Sequence, residues 1–185
     1  LPGFDVVGLP GAAVKESRDR VRAALKNCGY AYPVSRITVN LAPADVKKEG
    51  SVYDLPLLLA LLKASGQLEA ALDRCAYVGE LSLTGEVRPV HGVLPMVIAA
   101  RDAGIEQVFV PAANAAEGAV VDGIQVYGLR HVMELMDHLT GFAPMTPAAS
   151  LDSIPSPMAP MADFADVMGQ ADARRAMEIA AACSH

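Results

Sequence analysis

Apolar positions along the chain alternate between a period of two and a period near 3.6, and each change of period marks an element boundary. Phe4 to Val7 reads as a strand entering a Gly8-Leu9-Pro10-Gly11 turn, after which Val14, Val21, Ala24, Leu25 and Cys28 recur at helical spacing until Gly29. Arg36 to Leu41 alternates like a strand rich in β-branched residues, and a loop from Ala42 to Tyr53 follows. Asp54 is predicted to cap the next helix, with Pro56 in the tolerated first turn. Leucines at 55, 57, 58, 59, 61 and 62 cover almost every side of that helix, so it should be central and buried, ending near Gly66. Ala76 to Thr84 and Glu86 to Pro89 are predicted to form a hairpin about Thr84-Gly85. A helix should run from Gly92 to Ala103 with Val93, Met96, Val97 and Ala100 inward. Short strands at Gln107–Val110 and Ile124–Gly128 precede a closing helix carrying Val132, Met136 and Leu139. The order predicts an α+β sandwich of helices on a mixed sheet.

The pattern stops at residue 141. Residues 142–162 hold Pro144, Pro147, Pro155, Pro157 and Pro160 among Ala, Ser and Met, a composition that marks a linker because proline lacks the amide donor and fixes φ. Beyond it, residues 163–169 read as a turn and Gln170 to Ala182 as a helix with Ala173, Ala176, Met177 and Ala180 on one face, the start of another domain. No internal repeat of fixed period is apparent.

Composition narrows the function. With 52% apolar residues, disorder throughout is excluded, and a net charge of −6 requires any nucleic-acid role to be local. No run approaches a membrane span and no signal peptide is visible, so the expected location is cytoplasmic with no membrane partner. Cys28, Cys75 and Cys183 are odd in number and widely spaced, as reduced structural thiols would be. The chain opens on Leu1 and stops inside a helical pattern, as an excised piece of a longer protein would.

Candidate chemistry is sparse. The four histidines share no ligand spacing with each other or with a cysteine pair, so no metal site is expected. The glycines at 3, 8 and 11 precede a helix but lack a following Gly-Lys-Ser/Thr, which leaves an ordinary strand-turn-helix junction, and no Walker A sequence occurs. Ser51, after Lys47 and Lys48, admits a serine nucleophile with a lysine base or a plain loop residue. Lys15, Arg18, Arg20, Arg22 and Lys26 stand against only Glu16 and Asp19. That local excess, which Lys47 and Lys48 would extend, fits either a solvated helix face or a phosphate-binding one.

Two stretches are more specific. Ile37-Thr38-Val39-Asn40-Leu41-Ala42-Pro43-Ala44-Asp45, followed by Lys48-Glu49-Gly50-Ser51 and Asp54-Leu55-Pro56, resembles the amino-terminal domain of the magnesium-chelatase-like AAA+ ATPases of the ComM/YifB family, and so do residues 14–25 and 79–90. The resemblance covers residues 1–141 and implies a Lon-protease-like fold of the ribosomal protein S5 domain 2 type. Past the linker, the stretch from Asp163 to Gln170 resembles the entry to the family's AAA+ module. That likeness places Val167, Gly169 and Gln170 on the adenine side of ATP, with the Walker A loop expected just after His185. It further implies ATP and Mg2+ as cofactors of the full-length protein, none bound tightly by this fragment. The partners it implies are DNA and further copies of itself in a homo-hexameric branch-migration or helicase-type motor of natural transformation. A subunit-docking module of a magnesium-chelatase complex is the alternative within the same resemblance.

Lon proteases carry a nucleophilic serine before the buried helix and a lysine base after a Pro-Ile-Gly-Gly-Leu stretch. Those positions fall on Val52 and Leu94 here, with Ser51 one residue away. The resemblance therefore implies no catalytic residue in this domain, and a peptidase using Ser51 stands as the alternative.

Overall fold

The computed structural model describes residues 4–149 and Arg175. Two units divide the chain, Leu1–Ser153 and Ile154–His185, and every described residue except the helical Arg175 belongs to the first. In chain order that unit contains β1 (Phe4–Val7), α1 (Ala12–Asn27), β2 (Ile37–Asn40), α2 (Asp54–Ala64), β3 (Cys75–Tyr77), β4 (Glu80–Leu81), β5 (Val87–Arg88), α3 (Val93–Asp102), β6 (Gln107–Pro111), a 3-10 turn (Ala112–Asn114), α4 (Ala115–Gly118), β7 (Gln125–Leu129) and α5 (Val132–Leu139).

The class is α+β, but the mixed sheet resolves into three small ones: parallel β1–β2, parallel β3–β6–β7 and the antiparallel hairpin β4–β5. The expected single strand from Ala76 to Thr84 breaks at Val78-Gly79. There the Val78 amide makes its bond to Phe109 O (2.9 Å) and the next amide turns to Val52 O (3.1 Å). Glycine is needed at the break because a Cβ on residue 79 would lie 2.7 Å from Val87 Cγ1.

Period-two alternation in β6 feeds two cores. Phe109 points into one cluster with Leu25, Leu58, Leu62, Tyr127, Leu129 and Leu135, which joins α1, α2 and α5. Val108 and Val110 point into the other, with Val93, Val97 and Val126 beneath α3. Phe109 stacks between Tyr77 (5.2 Å, 10°) and Tyr127 (4.9 Å, 16°), and His138 tilts onto it from α5 at 5.4 Å. The Tyr77 hydroxyl is buried with no hydrogen-bond partner, and the neighbouring Cys75 thiol turns instead to Gln107 Oε1 at 3.7 Å. Burial, with Cys75 adding to it, raises the Tyr77 phenol. Tyr77→Phe keeps the ring stack and deletes the orphaned hydroxyl. It is expected to leave stability unchanged or raise it by about 1 kcal/mol, and urea unfolding showing a loss of that size would mean the hydroxyl is engaged.

Part of the proline-rich stretch is bound to the domain. The Ala143 amide donates to Asp137 O (3.1 Å), that of Met145 to His138 Nδ1 (2.9 Å) and that of Ala148 to Val126 O (2.7 Å), while Met145 packs on the first core.

Candidate nucleic-acid interface

The surface of α1 follows from its spacing. Val14, Ser17, Val21, Ala24 and Leu25 are buried, so the positions between them face outward. Lys15, Arg18, Arg22 and Lys26 are all exposed and form one row along the helix. Arg20 leaves the row. Its side chain reaches Asp54 of α2 through Nε (2.6 Å) and Nη2 (3.0 Å), and also donates to Ala13 O at 2.9 Å. Asp54 is fully buried and accepts the Leu81 amide at 3.1 Å, so one carboxylate ties together α1, α2 and β4. The bond to Asp54 raises the Arg20 guanidinium against the opposing effect of burial. This corrects the capping role expected of Asp54, because the residue before the helix is Tyr53 and no side chain caps it.

The remaining cations differ in how free they are. Arg18 pairs in the open with Asp19 (3.0 Å), which raises its guanidinium first through that hydrogen bond. Among the described residues no carboxylate lies within ion-pair distance of Lys15, Arg22 or Lys26. Arg22 Cζ sits 5.4 Å from the Tyr32 ring centroid. Burial raises the Tyr32 phenol, and Arg22 and then Arg18 oppose it. Lys47 is exposed and paired with Glu49. Lys48 is 4% exposed and its ammonium donates to Pro43 O, so the structure removes Lys48 from the exposed basic face. Its backbone joins the β1 turn, with Gly11 N bonding Lys48 O (2.8 Å) and Lys48 N bonding Leu9 O (3.1 Å). Gly8 makes that turn possible, since it has φ +98° and a Cβ there would lie 2.0 Å from Leu41 O.

Beside the row lie two cavities that share Phe4 and Arg18. One, of about 310 Å³, is lined by Arg22, Tyr32 and Val34 as well, and the other, of about 330 Å³, by Asp5, Val6 and Lys15. Phe4 and Tyr32 were not singled out in the sequence. The available signal was an aromatic loop, Tyr30-Ala31-Tyr32, directly after the cationic helix.

Ser51 donates to Glu80 Oε2, not to a lysine. Leu94, at the position of the Lon base, is apolar, and its amide donates to Glu117 Oε1 (3.0 Å), which with Asn114 holds that carboxyl below its ordinary range. Among the described residues no group of His, Cys, Asp or Glu could hold a metal ion, and no helix is long and apolar enough to cross a membrane. Val167, Gly169 and Gln170 lie outside the described residues, as does Cys183; Cys28 and Cys75 are free thiols.

Comparison with known proteins places this architecture. The family model for subunit ChlI of Mg-chelatase matches residues 1–114. An uncharacterized protein of Mycobacterium tuberculosis is 47% identical over the whole chain, covering 37% of that protein. Competence protein ComM of Haemophilus influenzae is 41% identical, again over the whole chain and 37% of its own length, and the uncharacterized YifB of Escherichia coli is 41% identical over 36% of its length. The chain thus spans little more than a third of these relatives. Lon protease 2 of Syntrophobacter fumaroxidans is 32% identical over 116 residues, which are 59% of this chain and 15% of that protein. With the motifs at residues 37–56 and 79–90 set in an α+β domain and a family match over residues 1–114, the chain belongs to the magnesium-chelatase-like family that includes ComM and YifB.

Proposed function

We propose that this chain is the amino-terminal, non-catalytic domain, of the S5 domain 2 type, and the first residues of the ATPase module of an ATP-driven DNA motor. The observation that carries the reading is the row Lys15, Arg18, Arg22 and Lys26, exposed on one helix of a chain whose net charge is −6. Kinship with a competence protein supports DNA as the polyanion. In the full-length protein, ATP and Mg2+ power the motor, six copies close a ring in the cytoplasm, and Val167, Gly169 and Gln170 meet the adenine. Lys47 lies outside the helix row and adds a further exposed cation.

Binding to this face is sequence-independent, because cations on a helix surface contact phosphates and read no base edges. On a duplex, the logarithm of affinity should fall with that of salt with a slope of about −0.9 per neutralised phosphate. A monomer binds weakly, and a ring multiplies the contacts through effective concentration. Arg18→Glu with Arg22→Glu is expected to abolish most low-salt binding while changing the melting temperature little, since exposed helix charges contribute about 0.3–0.5 kcal/mol each. Duplex titrations of both proteins at low salt check this, and equal affinities would return the helix to a solvated surface.

The peptidase reading finds less support. Ser51 bonds a carboxylate, and Leu94 offers no proton acceptor.

A further inference from the structure

We infer that the paired cavities beside α1 form a subsite for single-stranded nucleic acid, with unstacked bases lying against Phe4 and Tyr32 and the strand's phosphates on Lys15, Arg18 and Arg22. The inference rests on the basic face proposed above and specifies what that face holds.

Cations alone would not separate a single strand from a duplex. The cavities do, because their walls combine aromatic and cationic groups. In a duplex the base faces are covered by their neighbours, and only the phosphates could meet α1. In a single strand each base exposes a π-face that stacks on an aromatic ring without sequence preference. Tyr32 is half-buried and packs on the first core, with the Arg22 guanidinium over one face of its ring at 5.4 Å, so the ring is held in place and a base would meet only the part of it that lines the cavity. Phe4 and Arg18 line both cavities, so the two lie side by side along α1, one carrying Tyr32 and Arg22 and the other Lys15. Val34 at the rim of the first cavity is 90% exposed, an apolar surface with no described partner to cover it.

Spacing agrees with this. Lys15 to Arg22 is seven residues, about 10 Å along the helix at about 1.5 Å per residue. That reach is long enough for the row to meet more than one phosphate of a single strand. Opposing charge is present: Asp5 lines the second cavity and already pairs with Arg36 at 3.0 Å, and Asp19 pairs with Arg18. These carboxylates weaken the phosphate contribution and leave stacking a correspondingly larger share of affinity. The subsite is therefore expected to lose less affinity with salt than a purely cationic face.

The test uses the 185-residue chain, an oligodeoxythymidine strand and a hairpin duplex, titrated at low salt. Tyr32→Ala is expected to lower single-strand affinity roughly tenfold and leave duplex affinity unchanged, while Tyr32→Phe retains both. Unchanged single-strand affinity in Tyr32→Ala, alongside the loss in the Arg18→Glu, Arg22→Glu protein, would overturn the subsite and leave the basic face standing. Loss of neither would overturn both. Because Tyr32 also packs on the core, equal losses on both ligands would mark it as structural and overturn the stacking role. A photocrosslink from an iodouracil-substituted strand supplies a readout on the unaltered protein. It should map to the tryptic peptide Asn27–Arg36 or to the one holding Phe4, and adducts confined elsewhere would overturn the assignment.

Discussion

Asp54→Ala is expected to destabilise the folded domain by about 3–5 kcal/mol, which is the range for leaving one member of a buried ion pair without its partner. Asp54 is fully buried and the Arg20 side chain is 20% exposed, so the guanidinium left behind, with only the exposed Glu16 at 3.6 Å to pair with, cannot recover its hydration. The Leu81 amide would lose its acceptor as well, adding the cost of an unpaired buried donor. The damage should spread, because the carboxylate joins α1, α2 and β4. For a domain of this size the melting temperature should fall by about 10 °C or more. Replacing Arg20 and Asp54 together by apolar residues is expected to recover much of the loss, since the charge and its stranded partner then disappear together. Urea unfolding of the single and double variants measures the coupling, and a cost below about 1 kcal/mol for Asp54→Ala would show that the pair is solvated in solution.

Phe109→Ala should cost about 3–5 kcal/mol through the cavity it opens at the centre of the first core. Phe109 is fully buried and touches Tyr77, Tyr127 and His138 at ring-stacking distances, so three aromatic neighbours lose contact at once. Tyr77 and Tyr127 lie in the strands flanking β6 and cannot close the gap without breaking the parallel register. His138 loses a wall against which its ring is set, and its Nδ1 accepts the Met145 amide. The amides of residues 143–148 are therefore expected to exchange faster in Phe109→Ala than in Phe109→Leu, beyond what the global change in stability explains. Equal exchange in the two would separate this segment from the aromatic stack.

Much of the fold is legible in the sequence because periodicity reports which side of an element is dry. The expected strand at Phe4–Val7 matches β1 to the residue, and the all-round leucines of Asp54–Ala64 do form a buried helix. What periodicity misses are long-range choices. Asp54 sits where a helix cap belongs, and nothing local says that an arginine thirty-four residues earlier will claim its carboxylate. Lys48 and Lys47 are indistinguishable in a loop, yet the turn carrying Gly8 and Gly11 draws one backbone inward and leaves the other outside. Residues 76–84 look like one strand because the pattern survives a break whose cause, the approach of Val87 to Gly79, lies eight positions away. The short helix α4, with alanines and a glycine, has too little amphipathic contrast to announce itself. In the candidate interface, the cations were readable from composition and the aromatic side was not, because Phe4 and Tyr32 meet α1 only after β1 and the loop after α1 have folded beside it.

The segment from Ala143 to Ala148 also has a mechanical meaning. Its bonds to Val126 O, His138 Nδ1 and Asp137 O lie in that order from the carboxyl end inward. Tension applied from the carboxyl end therefore meets the Ala148 bond first and the Ala143 bond last. Release of the Ala148 bond frees the chain back to Met145, and release of the Met145 bond frees it back to Ala143. The segment thereby lengthens in two short steps, of three residues and then two, before α5 has to unwind.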